Sequence, residues 1–255
     1  MNKPFAIIAG EPNSISSELI FKAWKLRKKF THKPYFIIGS AGLLELQKKK
    51  LNYKIKIKKI DNDFKIKDLK SKELPVYNIE YNQEKPFEKI SSKSNKYIFK
   101  CFEEAIKFTK NKKIYGFVNC PVSKESLFKK KHQGITEFLS KKLTKKVNGV
   151  MLIYNKKLSV SPITTHIPIK HISNSLNKSK IINNVKIINK FYKKYFKKNP
   201  SLAILGLNPH NFSLSKKSEE KKIIYKAIKS LANDNIKVYG PVSPDSSFLV
   251  SKKYN

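Results

Sequence analysis

The sequence is poor in cysteine, and no long apolar run is present. Its two cysteines, Cys101 and Cys120, form no disulfide framework and no cysteine-rich metal site. No apolar run approaches the roughly 20 residues that a membrane helix needs. The apolar start at residues 5–9 is too short and too soon broken for a secretory signal peptide. We therefore expect a protein of a reducing, cytoplasmic setting, with no membrane contact.

Arginine and acidic residues are also scarce, and lysine dominates the charge. The 55 basic residues against 18 acidic ones give a formal net charge of +37, which by itself suggests a polyanionic partner. Arg27 is the only arginine, however, and arginine is the residue that makes bidentate hydrogen bonds to bases and phosphates. The lysines are scattered along the chain with abundant isoleucine and asparagine, as in proteins of AT-rich genomes. We interpret the charge as compositional and expect no nucleic-acid partner, although a small anionic substrate would be attracted.

Short apolar strands alternate with amphipathic helices along the chain. Residues 5–10 and 34–40 have the length and composition of buried strands, and residues 14–30 have helical periodicity. This alternation predicts an α/β fold, with a mostly parallel sheet and helices on both faces. The hydrophobic fraction of 40% is enough for a core. We expect two α/β lobes, residues 1–132 and 133–255.

Two histidines follow predicted strands in the second half. Residues 149–155 and 158–167 could form neighbouring strands, the second carrying His166, and His210 follows the apolar run 201–208. Ligands of parallel α/β folds bind at the carboxyl ends of strands, and neutral imidazole is a common ligand of divalent transition metals. The residues alone leave open whether these histidines bind a metal or are ordinary polar side chains.

The other histidines are weaker candidates. His171 lies on the next element and is a poor third ligand, and His32 and His132 lie in lysine-rich stretches and look inert. A metal beside a bound hydroxyl would act as a Lewis acid. Such a site would suit the oxidation of a secondary alcohol and the loss of an adjacent carboxylate.

Two predicted helix starts offer groups that bind anions. Ser123 and Lys124 begin one helix, where exposed amides attract anions; the alternative is a plain cap and a surface lysine. Thr136 follows Gly134 at another helix start and could donate to a phosphate oxygen, or simply cap the helix.

No G-x-G-x-x-G follows the first strand, so a classical dinucleotide site is not supported. Residues 10–12 are instead typical of a tight turn.

Six segments follow one another in unbroken order between residues 6 and 248. They are GEPNSISSE, CPVSKESL, GITEFLS, ITTHIPIKHI, ILGLNPHN and GPVSPDSSF. Together they resemble the 4-hydroxythreonine-4-phosphate dehydrogenase family of pyridoxal phosphate biosynthesis. The resemblance implies a two-lobed homodimer similar in architecture to isocitrate and isopropylmalate dehydrogenases. It also implies oxidation of 4-phosphohydroxy-L-threonine by NAD or NADP, with decarboxylation, and a divalent metal such as Zn, Mg or Co.

The resemblance also implies roles for single residues. His166 and His210 match two of the family's three metal-binding histidines, and Thr136 matches its contact to the substrate phosphate. As further hypotheses, Lys124 takes part in phosphate binding and Asp245 accepts the second N–H of a ligating imidazole. No catalytic residue and no contact to the nicotinamide cofactor is identified.

Three departures from the family pattern leave alternatives open. First, the chain stops at Asn255, before the family's Y-H-D-Q segment, which carries the third metal histidine. Second, Ile135 replaces a histidine that binds the substrate phosphate in the family. Third, Asn211–Ser213 replace a glycine-containing turn. The gene is then a truncated or split copy, or it encodes a diverged, active enzyme. The expected partners of the active enzyme are a phosphorylated small molecule and a second copy of the chain. The alternatives are a 4-phosphothreonate or 4-phosphoerythronate dehydrogenase, an inactive scaffold and a basic nucleic-acid binder.

Overall fold

The computed structural model describes residues 3–30, 33–128, 134–143, 149–212 and 218–249. His32 and His132 lie outside these residues. The chain divides into two compact units, Met1–Val147 and Asn148–Asn255. Within the described ranges, no helix combines the length and the apolar character that crossing a membrane requires.

Five short strands form the sheet of the first unit. They are β1 (Phe5–Ile8), β2 (Tyr35–Gly39), β3 (Ile57–Ile60), β4 (Leu74–Asn78) and β5 (Gly116–Asn119). The strands hydrogen-bond in the order β3-β4-β2-β1-β5, and every neighbouring pair is parallel. The carboxyl ends of β2, β1 and β5 therefore lie side by side, at the edge where ligands bind in such folds.

Helices connect these strands, and local capping explains where two of them begin. They are α1 (Ser16–Phe30), α2 (Ala41–Lys50), α3 (Asn95–Lys110), α4 (Lys124–Phe128) and α5 (Ile135–Leu143). The Ser40 side chain accepts the Leu43 N–H at the start of α2, and Ser14 Oγ accepts the Ser16 N–H just before α1. Each bond satisfies a donor that a helix terminus would otherwise leave unpaired.

Alternate residues of the strands enter two different apolar layers. In β2, Phe36 and Ile38 pack with α3, whereas Tyr35 and Ile37 pack with α1 and α2, as the two-residue period of a strand requires. All five residues of β2 are buried, which is typical of a parallel sheet covered on both faces. The prediction of an α/β fold with a mostly parallel sheet and helices on both faces is confirmed.

The helix α5 belongs to the first unit because Phe138 joins its aromatic layer. The ring centroid of Phe138 lies 5.4 Å from that of Phe99, 5.7 Å from Phe102 and 5.8 Å from Phe128. The two units consequently divide after residue 147, whereas the sequence analysis divided them after residue 132. Periodicity alone could not locate this division, because it depends on which core α5 packs against.

The second unit contains two parallel strands and three α-helices among its described residues. They are α6 (Ile172–Ser175), α7 (Lys178–Phe191), β6 (Leu202–Leu205), α8 (Tyr225–Asn233) and β7 (Val238–Val242). A π-helical turn, Tyr192–Phe196, extends α7, and another, Glu220–Ile224, precedes α8. Buried side chains of α7 and α8, such as Ile181 and Leu231, pack with both strands in one apolar layer.

The predicted strands at residues 149–155 and 158–167 are wrong, because the structure contains a single antiparallel bridge there. Ile153 and Val160 exchange two backbone hydrogen bonds of 2.8 and 2.9 Å. Both side chains are exposed, so no buried face supports a longer ladder. His166 therefore follows irregular chain rather than a strand.

The turn after β1 is locked against the turn after β5. Gly10 has a φ of +73°, and a Cβ at this position would lie 2.5 Å from the Pro121 carbonyl oxygen. The Glu11 N–H donates to that oxygen at 2.9 Å, and the Ser16 hydroxyl donates to it at 3.3 Å. Both the backbone conformation and the available space therefore require glycine at position 10.

We expect Gly10→Ala to lower the free energy of unfolding by about 2 kcal/mol or more. The left-handed backbone alone costs an alanine about 1–2 kcal/mol, and the methyl group would overlap a carbonyl that two hydrogen bonds hold in place. Gly42→Ala is the matched control, because nothing lies within 4 Å of its Cβ position; it should be neutral or stabilise α2 by up to ~1 kcal/mol. Urea unfolding followed by circular dichroism measures both, and a Gly10→Ala protein as stable as the wild type would contradict this account.

Candidate active site

A buried carboxylate lies at the carboxyl end of β1. Glu11 is only 1% exposed, and its side chain accepts the Ser94 hydroxyl at 3.0 Å and the Asn13 N–H at 3.2 Å. These donors satisfy a charge that would otherwise be costly to bury. Glu11 was not predicted as a site residue, because residues 10–12 are typical of a plain turn. An acid between Gly10 and a proline at a strand end was the available signal.

Lys124, a predicted phosphate-binding residue, is the first residue of α4 and is exposed. Ser123 caps this helix by accepting the Ser126 N–H at 3.3 Å. The Asn95 amide at the start of α3 donates to the Ser126 carbonyl at 2.8 Å, which ties α4 to α3. The short helix is thus held at the carboxyl end of β5, with the lysine facing solvent.

Thr136, the other predicted phosphate contact, lies in the first turn of α5 and is exposed. Its neighbour Ile135 is partly buried and packs against the apolar layer around α3. The isoleucine side chain therefore contributes to the core of the unit and offers no donor to an anion. Thr136 has the only side chain of this pair that can donate to a phosphate oxygen.

The structure brings His210 and Asp245 of the second unit together. His210 Nδ1 lies 3.0 Å from Asp245 Oδ2, and the His210 backbone N–H donates to the same oxygen at 3.4 Å. The His210 side chain is 87% exposed, so its Nε2 remains available to a ligand. A ring held by a carboxylate through one nitrogen, with the other nitrogen free, is the usual arrangement of a metal-binding imidazole.

His166 and His210 share an unusual backbone conformation. His166 has a φ of 55° and His210 a φ of 51°, in the left-handed region that non-glycine residues seldom occupy. His166 is exposed, and no hydrogen bond of its side chain is found among the described residues. Asn52, Lys112, Lys197 and Asn235 have φ values of 54–57° as well, so this conformation does not by itself identify a functional site.

The described side chains supply only part of a set of metal ligands. Over the described ranges, no three histidine, cysteine, aspartate or glutamate side chains come together. The structure thus pairs His210 with Asp245, and no third side chain of these kinds among the described residues, His166 included, joins them in one group. His171, the poor third candidate, is exposed at the end of the short 3₁₀ segment Ile169–His171.

A second buried carboxylate holds the turn that leads from β6 to His210. Glu220 is 3% exposed, and its Oε1 accepts the Leu207 N–H at 2.9 Å and the Asn208 N–H at 2.8 Å. The Asn208 amide donates to Glu220 Oε2 at 3.1 Å and to Glu219 Oε2 at 3.1 Å. The sequence analysis missed Glu219 and Glu220, although two adjacent acids in a chain with so few were a signal.

Hydrogen bonds lower the pKa of both carboxyl groups. Burial raises the pKa of Glu220, but donors on Asn208, on Leu207 and on its own backbone outweigh that effect and hold the pKa below its ordinary value of 4.5. The Ser173 hydroxyl, helped by the Glu219 backbone and the Asn208 amide, lowers the pKa of Glu219. Both acids are therefore ionised at neutral pH.

A cavity of about 540 Å³ lies within the second unit, a volume typical of ligand sites. Apolar side chains of α7 and β6 form much of its wall, and Asn184 and Ser201 add polar groups. The Ser201 hydroxyl is buried and has no hydrogen-bond partner among the described residues. Three residues that line the cavity lie within three positions of the predicted metal-site residues in the sequence. Thr164 precedes His166, Leu207 precedes His210, and Ser247 follows Asp245.

The lowered pKa of Glu220 predicts an acid-sensitive second unit. A depressed carboxyl pKa contributes stability above the ordinary value of 4.5, and this contribution is lost as the pH falls through the folded-state pKa. Glu220→Gln should therefore cost about 2 kcal/mol of unfolding free energy at neutral pH, and progressively less in acid. The control Glu18→Gln removes an exposed partner of Lys22 and should cost about 0.5 kcal/mol or less. Urea unfolding between about pH 3 and pH 7 measures both, and a Glu220→Gln cost that does not change with pH would contradict the prediction.

Comparison with known proteins identifies relatives along nearly the whole chain. The family model of the pyridoxal phosphate biosynthetic protein PdxA matches residues 31–255. A 4-hydroxythreonine-4-phosphate dehydrogenase of Sulfurihydrogenibium sp. (strain YO3AOP1) is 35% identical over 257 residues, which cover 98% of this chain and 77% of the relative. The enzyme of that name from Aquifex aeolicus (strain VF5) is 36% identical over 260 residues, with the same coverage.

The fold agrees with these matches. A crystal structure of 4-hydroxythreonine-4-phosphate dehydrogenase from Klebsiella pneumoniae aligns with a TM-score of 0.84 at 22% identity, covering 98% of this chain and 78% of the other. The chain spans about three quarters of the length of the curated relatives. On the family match and the identity to these relatives, the chain belongs to the PdxA family of pyridoxal phosphate biosynthetic proteins.

Proposed function

We propose that this protein oxidises 4-phosphohydroxy-L-threonine with NAD, or NADP, as a step of pyridoxal 5'-phosphate biosynthesis. The observation that carries the proposal is the 35% identity, over 98% of the chain, to a relative named for this dehydrogenase activity. In this oxidation the carbon that bears the hydroxyl group would lose a hydride, for which a bound nicotinamide would be the acceptor, and the hydroxyl proton would be released. The β-keto acid that results then loses its carboxylate as carbon dioxide.

His166 and His210 are the proposed metal ligands. The contact between His210 Nδ1 and Asp245 leaves Nε2 as the ligating atom and fixes the orientation of the ring. A divalent ion such as Zn, Mg or Co supplies Lewis acidity at the reacting hydroxyl when it is bound. With two imidazoles at most among the described residues, further coordination positions belong to other groups.

Thr136 and Lys124 are the proposed phosphate contacts. Thr136 offers a hydroxyl donor and Lys124 a cation, and both are exposed. Because Ile135 packs into the core, no imidazole assists them, and the binding energy of the phosphate depends more heavily on these two side chains. The large positive charge of the chain favours the approach of an anionic substrate.

The cavity of the second unit is the proposed site of the nicotinamide cofactor. Its apolar walls suit a flat heteroaromatic group, and Asn184 and the unpartnered Ser201 hydroxyl can bind polar ring edges. A nicotinamide held there would supply the hydride acceptor of the reaction. We further propose a cytoplasmic homodimer, the assembly that the family resemblance implies, and light scattering on the purified protein tests its oligomeric state.

Loss of either proposed ligand should remove metal and activity together. We expect His166→Ala and His210→Ala each to lower metal affinity beyond the roughly 10- to 100-fold that outer-shell changes cause, and to abolish NADH formation. His171→Ala is the control, an exposed histidine outside the proposed ligand set. Metal analysis and NADH absorbance are the measurements, and unchanged metal content in both variants would refute the assignment.

The same assay separates the alternatives for the substrate. Turnover of 4-phosphothreonate or 4-phosphoerythronate, without turnover of 4-phosphohydroxy-L-threonine, would move the activity to the related dehydrogenases. A folded protein that binds no metal and oxidises none of these substrates would be an inactive member of the family.

Thr136→Val tests the phosphate contact. The substitution keeps the shape and removes the hydroxyl, so we expect the KM of the phosphorylated substrate to rise about tenfold, as for one lost hydrogen bond to a charged group. The KM of NAD should not change. Thr109→Val, at a partly buried helix position whose hydroxyl donates to the Ala105 carbonyl of its own helix at 2.8 Å, is the matched control. A wild-type KM in Thr136→Val would remove Thr136 from the site.

A further inference from the structure

The turn between β6 and His210 presents two successive backbone N–H groups to one carboxylate oxygen. The Leu207 and Asn208 N–H groups both donate to Glu220 Oε1, at 2.9 and 2.8 Å. The Asn208 amide adds a third donor, to Glu220 Oε2 at 3.1 Å. Three donors from two adjacent residues fix the orientation of this turn on the buried Glu220.

Among the described residues, the carboxylate of Glu220 has no ion-pair partner. In a chain with 55 basic residues, no lysine within the described ranges lies in salt-bridge contact with this carboxylate. A charge that is 97% removed from solvent needs strong hydrogen bonds to remain ionised. The N–H and amide donors of the turn are therefore the groups that stabilise this carboxylate in its buried position.

Asn208 links the buried carboxylate to the strained histidine. Its carbonyl accepts the Asn211 N–H at 3.1 Å and so closes the turn around His210. Within that turn His210 and Asn211 both have left-handed backbones, with φ of 51° and 62°, a region that residues other than glycine seldom adopt. Contacts outside the turn hold this conformation. Glu220 binds its start through the Leu207 and Asn208 N–H groups, and the Asn211 amide donates to the Pro241 carbonyl at 2.9 Å.

From this geometry we infer that Glu220 is a positioning residue, which holds the Asn208–Asn211 turn so that His210 meets Asp245 and directs Nε2 to its ligand. The role in ligand binding depends on the proposed function, whereas the effect on the His210 ring is independent of it. Glu220 would touch neither metal nor substrate. It would act through backbone donors on Leu207 and Asn208.

A double-mutant cycle tests the inference. The variants are Glu220→Gln, Asp245→Asn and the double variant that carries both changes. Glu18→Gln is a charge-matched control on α1. In metal-free protein, histidine NMR reports the His210 ring, and amide hydrogen exchange reports the Leu207 and Asn208 N–H groups. A titration with Co²⁺ reports ligand binding. Circular dichroism establishes that each variant is folded.

We expect Glu220→Gln to shift the His210 ring resonances, to accelerate exchange at Leu207 and Asn208, and to raise the Co²⁺ dissociation constant about 10- to 100-fold. Asp245→Asn should add little in the Glu220→Gln background, because both changes release the same ring. Glu18→Gln should change none of these readings.

Unshifted His210 resonances in folded Glu220→Gln, or losses of Co²⁺ affinity that multiply in the double variant, would overturn the inference. If Glu220→Gln does not fold, Asn208→Ala removes the side-chain donor alone and must still shift the His210 resonances. A wild-type protein that binds no Co²⁺ refutes the proposed metal site, and the metal-free readings still decide the role of Glu220.

Discussion

Burial of both faces of the five-stranded parallel sheet is the constraint on which the first unit depends. A sheet covered by helices on both sides has its loops at its two ends, and the turns after β1, β2 and β5 meet at one of them. The backbones there approach so closely that the turn after β1 contacts the Pro121 carbonyl directly, and only glycine fits at position 10. The segments that resemble the family's substrate-binding motifs lie on this scaffold because the strand order brings their strands together.

Each unit has one buried carboxylate at a strand end. Among the described residues, Glu11 and Glu220 are the buried acids, and neither has a lysine partner there. Glu220 accepts the Leu207 and Asn208 N–H groups, whereas Glu11 accepts one turn donor, the Asn13 N–H, and the Ser94 hydroxyl. A carboxylate with several lone pairs can bind successive donors of a tight turn, which water would otherwise solvate. In a protein with so large an excess of positive charge, the few buried negative charges therefore serve the turns rather than the ion-pair balance.

The lysine excess and the family function are compatible because they concern different parts of the molecule. The fold is built from buried apolar layers and from a few polar contacts at strand ends, and most lysines lie on helix surfaces and loops. Drift in surface composition changes solubility and the attraction of anions. It leaves the packing of the sheet, and the turns that carry His210 and Thr136, unchanged.

The sequence by itself determined the fold class and the family, and it supplied the candidate site residues. Strand–helix alternation predicted the parallel sheet, and the ordered motifs named His166, His210, Thr136, Lys124 and Asp245 as candidates, because motif order and residue chemistry are properties of the chain alone. Only the tertiary structure decided that α5 joins the first core, that residues 149–167 contain one bridge in place of two strands, and that Glu220 holds the turn before His210. These features depend on which distant surfaces pack together and which buried donors need an acceptor, and neither local periodicity nor a short motif encodes a contact of that kind.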